Sequence, residues 1–440
     1  MNFLVLKKTL SNNPDYYCYC EKGFVKVIQE KTRTDLNEFA CFKAEGFFKG
    51  KEFFAEKIIE QKNDLKEELL AKAKSFDYDN LVEDDCLNEL KPIIREAAEF
   101  VAKQLLLLRP VIIRFNDDCD GIISGLYVKN ALLNYANKQG IPIELKDDQL
   151  NSAVYDANDL IWDSDKFLEE KPVLFLLDLG ANKESSTAVN EASKKFNVLI
   201  LDHHPHSEET VQHTRFISPM NTGGTSSHTT GLLAYHFALA LAGKANKERV
   251  WFSLQSDKSS FRKEKEFKEA VVLDYLSREE YSLKGYEEIL ESPQKINSLY
   301  DQSKRKLEKS VAQTEVKEEK IESVLFLTVN LSKIKKRAYP PKGIVLNTIH
   351  NSREKTNELV ATVSYSSDTI QFRVSTALWK KGFKATDVIK IVTSEYPQAT
   401  GGGHEQAAAM RYPEELKNLI LEKTLEETKK IIKKITGTHV

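Results

Sequence analysis

Three short apolar runs constrain this chain most, because each ends in acid. They are "PVIIRF" (110–115), "PVLFLLD" (172–178) and "NVLILD" (197–202), and they lead into "NDDCD", "DLG" and "DHH". Helical stretches lie between them, over 122–138 and 183–195. Continuous apolar strands alternating with helices predict a parallel sheet covered on both faces. Ligands of such sheets sit at the carboxyl ends of the strands. Three acidic strand ends on one edge gather negative charges that repel one another, so the edge calls for a cation.

In "RFNDDCDGI" (114–122), Asn116, Asp118, Asp120 and Gly121 match the first positions of a calcium loop. Tyr127 stands where that loop needs its glutamate, and a β-run precedes it instead of a helix, so the calcium-loop reading fails. Capping the following helix would use one aspartate and leave the others unexplained. "LDHHPH" sets two adjacent histidines behind Asp202 at the end of a buried strand. Neutral imidazole ligates transition metals, and a neighbouring carboxylate fixes its tautomer. Asp178 ends the strand between and could bridge two ions. Several carboxylates with one or two imidazoles suit Mn²⁺ better than calcium or thiolate-bound zinc.

A third motif is "TGGGHEQAAAMR" (400–411). Gly401, Gly402 and Gly403 would let backbone approach a ligand closely. A helix is expected to begin straight after them, offering its N-terminus and His404 to a phosphate. Arg373, on a β-run of the same region, is a candidate partner for that phosphate.

These motifs sit within four expected regions. Residues 1–95 form an N-terminal accessory domain of unknown role, opening with the strand-like "YYCYCEKGFVKVI" and passing into a charged helix, "KEFFAEKIIEQKNDLKEELLAKAKSF". Residues 96–262 hold the parallel sheet, and 263–322 read as a charged helical linker. Residues 323–440 form a smaller α/β domain with strands at "VLFLTV", "GIVLNTI", "ELVATVSY" and "TIQFRVST", a helix at "ATDVIKIVTSEY" and a closing lysine-rich helix. The fold class is α/β, a parallel-sheet domain and a smaller α/β domain joined by a helical linker.

The 64 basic and 66 acidic side chains nearly cancel, so net charge predicts no general affinity for nucleic acid. The five scattered cysteines do not form a disulfide framework, and Cys18 and Cys20 are too close for a zinc knuckle. The start "MNFLVLKKTL" places lysines after its apolar residues, the reverse of a secretion signal, and no apolar run approaches a membrane span. These features lead us to expect a cytoplasmic protein with no membrane partner.

Taken in order, "DCDG" (118–121), "DLG" (178–180), "DHH" (202–204), "LQSDKSS" with Asp257, and "TGGGHEQAAAMR" resemble the motifs of the DHH–DHHA1 phosphoesterase superfamily, which includes RecJ exonucleases and NrnA-like oligonucleotide hydrolases. The extra N-terminal segment and the helical insert resemble RecJ-like nucleases of archaeal type. The resemblance implies a DHH catalytic domain over 96–262, a DHHA1 substrate-binding domain over 323–440, and two Mn²⁺ sites (Mg²⁺ as an alternative) sharing Asp178. One ion would use Asp118, Asp178 and an upstream histidine; the other would use Asp120, Asp178, His203 and Asp257. Asp202 would orient the cluster, His204 would face the scissile phosphate, and Arg373, Gly401, Gly402, Gly403 and His404 would bind substrate. The chain departs from the family where Arg114, Phe115, Asn116 and Asp117 replace the upstream histidine, leaving Asn116 or Asp117 as a possible oxygen ligand.

The implied activity is a Mn²⁺-dependent phosphodiesterase, a single-strand exonuclease or oligonucleotide hydrolase acting on DNA or RNA. A cleft with chemistry on one side and a phosphate grip on the other suits a single strand. The alternatives are a catalytically reduced scaffold among replication and repair proteins, and a cyclic-dinucleotide phosphodiesterase.

Overall fold

The computed structural model describes residues 1–9, 14–29, 34–60, 65–165, 171–279, 281–335 and 338–437, apart from the Glu60 side chain. The chain divides into two compact units, Met1–Ile296 and Asn297–Val440.

Unit 1 begins with a closed barrel of β1 (Asn2–Lys8), β2 (Tyr16–Cys20), β3 (Gly23–Gln29), β4 (Cys41–Lys49) and β5 (Glu52–Glu60). The strands run in the order β1-β2-β3-β5-β4. Cys18 and Cys20 alternate inward with Tyr16 and pack in the barrel core with Phe3, Phe42 and Phe53. The stretch expected as charged helix is therefore strand as far as Glu60, because Phe53 and Ala55 alternate inward at period two. Helix appears only at Leu65–Leu70, and residues 61–64 lie outside the described ones.

The second layer of unit 1 is the expected parallel sheet, built from β6 (Val111–Asn116), β7 (Leu145–Leu150), β8 (Val173–Leu177), β9 (Asn197–Leu201) and β10 (Arg215–Ile217). Every neighbouring pair is parallel, in the order β10-β9-β8-β6-β7. β6 and β8 are buried throughout, as continuous apolar strands covered on both faces must be. The chain leaves β6 towards β7 on one side and returns to β8 on the other, so the order reverses between β6 and β8. Such a switch point opens a crevice at the carboxyl ends of the two strands.

Two helices line that crevice. The helix Cys119–Gln139 starts on Asp118, whose Oδ1 accepts the Gly121 amide at 2.9 Å, and ends on Gly140 at φ +68°. A Cβ on Gly121 would stand 2.5 Å from the Asn116 carbonyl, so only glycine lets this helix begin so close to β6. The helix Thr230–Ala242 is apolar on nearly every side and packs against Cys119–Gln139 and Asp85–Leu106.

Unit 2 is a six-stranded sheet of β11 (Glu315–Ile321), β12 (Val324–Asn330), β13 (Val360–Tyr365), β14 (Thr369–Val374), β15 (Thr400–His404) and β16 (Ala407–Arg411), in the order β11-β12-β13-β14-β16-β15. Among these strands only β12 and β13 run parallel. The expected strand "GIVLNTI" is instead part of the helix Lys342–Glu354, whose Val345, Leu346 and Ile349 form a helical stripe on the sheet. Likewise the end of the expected helical linker is the strand β11.

His236 tests the packing of unit 1. It is buried, stacks on Tyr78 with ring centroids 5.3 Å apart, and accepts the Leu81 amide on Nε2 at 3.1 Å. Burial, helped by the Lys91 charge, pushes its pKa down to about 3. An unfolded chain takes up this proton near its ordinary value of about 6.5. Its contribution is therefore fully present above that pH and is lost as pH falls towards 3, by at most about 1.4 kcal/mol per pH unit. Replacing His236→Gln should flatten the fall in unfolding free energy between pH 6.5 and 4, measured by urea titration.

Candidate metal centre

The carboxyl ends of β6, β8 and β9 bring together all the residues expected there, but not in equal roles. Of the three aspartates after β6, Asp117 turns aside and accepts a 2.7 Å ion pair from Arg278. This removes it as a candidate ligand. Asp118 caps its helix with one oxygen and accepts the Asn116 amide nitrogen on the other at 2.9 Å. Asp120 is fully buried, and its two oxygens accept the backbone amides of Thr230 and Gly231 at 2.8 and 2.7 Å. Those amides open the helix Thr230–Ala242, so the positive end of that helix faces a carboxylate.

Asp178, just past β8, is held at φ +62°, a left-handed conformation that costs a non-glycine residue about 1–3 kcal/mol. Its amide donates to the Leu201 carbonyl of β9 at 2.9 Å. One side-chain oxygen accepts the Thr230 hydroxyl at 3.1 Å and the other accepts Asn116 Nδ2 at 3.0 Å. The adjacent histidines lie edge to face with ring centroids 4.3 Å apart, and Asp178 faces both, 3.4 Å from His203 Nε2 and 3.5 Å from His204 Nδ1. His203 is buried, while the side chain of His204 is half exposed. Asp202 accepts both the backbone amide of His204 and its Nδ1, at 3.0 and 2.8 Å.

His203 carries the decisive geometry. Its Nδ1 faces the Ser226 carbonyl at 2.8 Å, an acceptor only, so Nδ1 holds the proton. Nε2 is buried with no atom of the described residues in hydrogen-bond geometry, 3.1 Å from Asp257, 3.4 Å from Asp178 and 3.8 Å from Asp120. Asp120, His203 and Asp257 form one group whose ligand atoms lie within 4.8 Å of one another; Asp178, His203 and His204 form a second. An orphaned imidazole nitrogen among three carboxylates fits a divalent transition metal, and the carbonyl behind it supplies the usual outer support.

The electrostatics agree. Burial, then the charges of Asp178 and Asp257, pushes Asp120 up to about 8. Burial and the same neighbours drive Asp118 well above the carboxylate range. Burial pulls His203 down, but the close carboxylates of Asp178 and Asp257 outweigh it and push the imidazole up to about 12.

Asn116 stands where a histidine was expected, and it does not present an oxygen. Its Nδ2 lies between Asp118 and Asp178, while its Oδ1 accepts the Asp117 amide at 3.0 Å. Turning the amide over would break all three bonds. Arg114, two residues earlier, is buried in an ion pair with Asp163, which also accepts the Tyr155 hydroxyl. The residues of the implied first site therefore do not fit a second ion, whereas those of the other site do.

In unit 2, Arg373 lies on β14, where its Nε donates to Asn347 Oδ1 at 2.5 Å. Gly401, Gly402, Gly403 and His404 are exposed along the edge strand β15. The helix expected after His404 does not form. Residues 407–411 are β16, and Glu405 in the turn accepts Trp379 Nε1 and pairs with Lys384, both at 2.7 Å. Gly403 sits at φ +126°, which no helix contains, and Ala408 and Met410 alternate inward, so pairing overrides the helix preference of alanine. Extending the β14–β16 register by two residues sets Arg373 in the row that holds His404.

Sequence reasoning missed Thr230, Gly231 and Ser226, which hold Asp120, Asp178 and His203 through one loop and helix start. The threonines of "SSHTTG" before an apolar run were the available signal, and Thr229 does cap that helix. It also missed Asp274, pushed up to about 6 by burial while accepting the Cys119 amide.

Residues 110–256 match the profile of the DHH family, N-terminal domain. The chain is 22% identical to the uncharacterised protein MJ1198 of Methanocaldococcus jannaschii, covering 82% of this chain and 57% of that protein. It thus spans little more than half of that relative's length. Among solved structures, the DHH domain of PF0399, a member of the s1p family of ribosomal proteins, superposes with a TM-score of 0.70 at 22% identity, over 83% of this chain and 97% of that one. RecJ from Thermus thermophilus in complex with Mn²⁺ gives 0.48 at 14% identity, over 77% of this chain and 55% of that chain.

Mn²⁺ should raise the unfolding temperature, with a gain of about 2.7 kcal/mol at a hundredfold excess over Kd. Asp178→Ala or His203→Ala should abolish the gain in calorimetry. Because His203 must lose its proton to bind, Mn²⁺ uptake should release protons, seen as a buffer-dependent binding enthalpy at pH 7.

Proposed function

We propose that this chain, a member of the DHH superfamily, is a Mn²⁺-dependent phosphodiesterase that hydrolyses single-stranded DNA or RNA from an end, or short oligonucleotides. The observation that carries this reading is the orphaned Nε2 of His203, aimed at Asp120, Asp178 and Asp257 with its tautomer fixed from behind. These four residues would hold one ion. A divalent cation there supplies a Lewis acid for a phosphate oxygen and ionises water near neutral pH.

The protein's own groups do the rest. Asp202 fixes Nδ1 of the half-exposed His204 ring, which leaves Nε2 as the nitrogen that would donate a proton to the leaving oxygen. The hydrogen bond to Asp202 raises the His204 pKa, which favours the protonated form this role needs. The helix start at Thr230 and Gly231 keeps Asp120 in place, and Thr230 keeps Asp178. In unit 2, Arg373, His404 and the glycine edge strand are assigned to grip the substrate phosphate, since bare backbone admits an anion closely.

Asn116 favours a second reading. Its amide occupies the gap between Asp118 and Asp178, which fits a centre that keeps one ion and serves as a scaffold for replication or repair proteins. A time course on 5′- and 3′-labelled DNA and RNA strands with Mn²⁺ separates the two. Turnover should fall at least a thousandfold in Asp178→Ala and about a hundred- to ten-thousandfold in His204→Ala. Bound Mn²⁺ with no turnover of any strand or of a cyclic dinucleotide would favour the scaffold, and turnover of a cyclic dinucleotide alone would replace the strand as substrate. Titration calorimetry should count one Mn²⁺ per wild-type chain and two in Asn116→His.

A further inference from the structure

The metal centre makes no use of the N-terminal barrel, yet the barrel has the marks of a binding module. β1 closes on β4, and β3 runs parallel to β5, giving the order β1-β2-β3-β5-β4. This is the connectivity of a five-stranded Greek-key barrel of OB type. Such barrels take oligonucleotides on the β2–β3 face and at the β1–β2 and β4–β5 loops.

The outward side chains of this barrel suit that use. Alternation sends Tyr16, Cys18, Val25, Val27, Phe53 and Ala55 inward. Outward, the register sets Tyr17 beside Lys26, Lys26 beside Glu52, and Glu52 beside Lys49. The next row sets Phe47 against Phe54, their rings stacked at 5.3 Å, with Phe47 still 50% exposed. The β4–β5 turn between these rows reads Lys49-Gly50-Lys51, and Lys22 of the β2–β3 turn lies 4.3 Å over the Phe48 ring. A crevice of about 390 Å³ opens beside Tyr17, lined also by Phe24, Lys51, Glu52 and Lys26 of the barrel, the last ion-paired with Asp15 at 2.8 Å, and by Ile141 and Pro142 of the sheet layer.

An exposed aromatic ring stacked on a second one beside the lysine turn, with a crevice lined by further aromatics and lysines, matches what a single strand offers: base faces to stack and phosphates to neutralise. We propose that the β2–β3 face and the β4–β5 turn of the barrel bind single-stranded nucleic acid. A duplex hides its base faces and cannot use the aromatics. A base face and a phosphate are common to DNA and RNA, so the site is indifferent to the sugar. The inference deepens the reading of the chain as a nucleic-acid phosphodiesterase, but strand binding does not depend on the metal centre.

The test is fluorescence anisotropy of the full-length protein with labelled 12-nucleotide dT and rU strands, in chelator so that no strand is cut. Both should bind within about threefold of each other. Phe47→Ala and Tyr17→Ala should each weaken binding fivefold or more, the range a lost base stack produces. Lys49→Ala with Lys51→Ala should lower the slope of log affinity against log salt by about 1.4. Melting curves identify any variant that fails to fold, and Phe47→Leu, which keeps apolar bulk and loses the ring, then replaces Phe47→Ala. Wild-type affinity in all folded variants, equal affinity for a duplex, or a tenfold preference for one sugar overturns the proposal. Wild-type turnover of bis(p-nitrophenyl) phosphate with Mn²⁺ is scored separately. Strand binding without that turnover sinks the phosphodiesterase reading and leaves the barrel site standing; turnover without strand binding does the reverse.

Discussion

Carboxylates crowd one crevice only where donors, protons or a cation offset their charge, and the arrangement of unit 1 follows from that. Asp118, Asp120, Asp178 and Asp257 converge where the strand order reverses between β6 and β8. At short range in a low dielectric their mutual repulsion would be many kcal/mol if all were ionised. The fold offsets part of it with dipoles. The start of the helix Thr230–Ala242 meets Asp120 with two amides, and the start of Cys119–Gln139 meets Asp118 with one. The remaining deficit gathers around His203 Nε2, which has no hydrogen-bond partner among the described residues.

The same deficit explains why so much of the surrounding structure is fixed. Asp178 is kept at a positive φ by its amide bond to β9 and by two donors on its side chain. Ser226, Thr230 and Gly231, on one short stretch, hold His203, Asp178 and Asp120 respectively. A shift of that stretch would move three groups of the centre together. Arg278 draws Asp117 out of the cluster, which limits the charge the crevice must carry.

The strands and acids of this centre were legible in the sequence because burial on both faces leaves an unbroken apolar run, and each run stops at the edge where chemistry sits. β7, "LKDDQL", and β10 lie at the sheet's edges and gave no such run. β11, "EVKEEKI", carries the charge expected of an edge strand and so imitates a solvated helix. The barrel strand "EFFAEKIIE" misled in the same way, since lysine and glutamate spacing hid the inward Phe53 and Ala55. After "TGGGH" the alanines argued for helix, but the residues opposite decided for strand. Partners far apart in the chain, such as Arg278 for Asp117 and Thr230 for Asp178, have no local signature and needed the fold.

Asn116 sharpens what kind of centre this can be. A histidine there would bring a neutral nitrogen lone pair to Asp118 and Asp178; the asparagine brings an N–H instead, and a donor cannot ligate a cation. The amide does for Asp118 and Asp178 what an ion would do, neutralising part of their repulsion by hydrogen bonding, without supplying a Lewis acid. The first position is thereby filled by a structural donor, and the ligand atoms that suit a cation are those around His203. On the proposed function, a centre that keeps one ion would leave more of the substrate binding to other parts of the chain, and the aromatic face of the barrel and the glycine edge strand are the surfaces we assign to it.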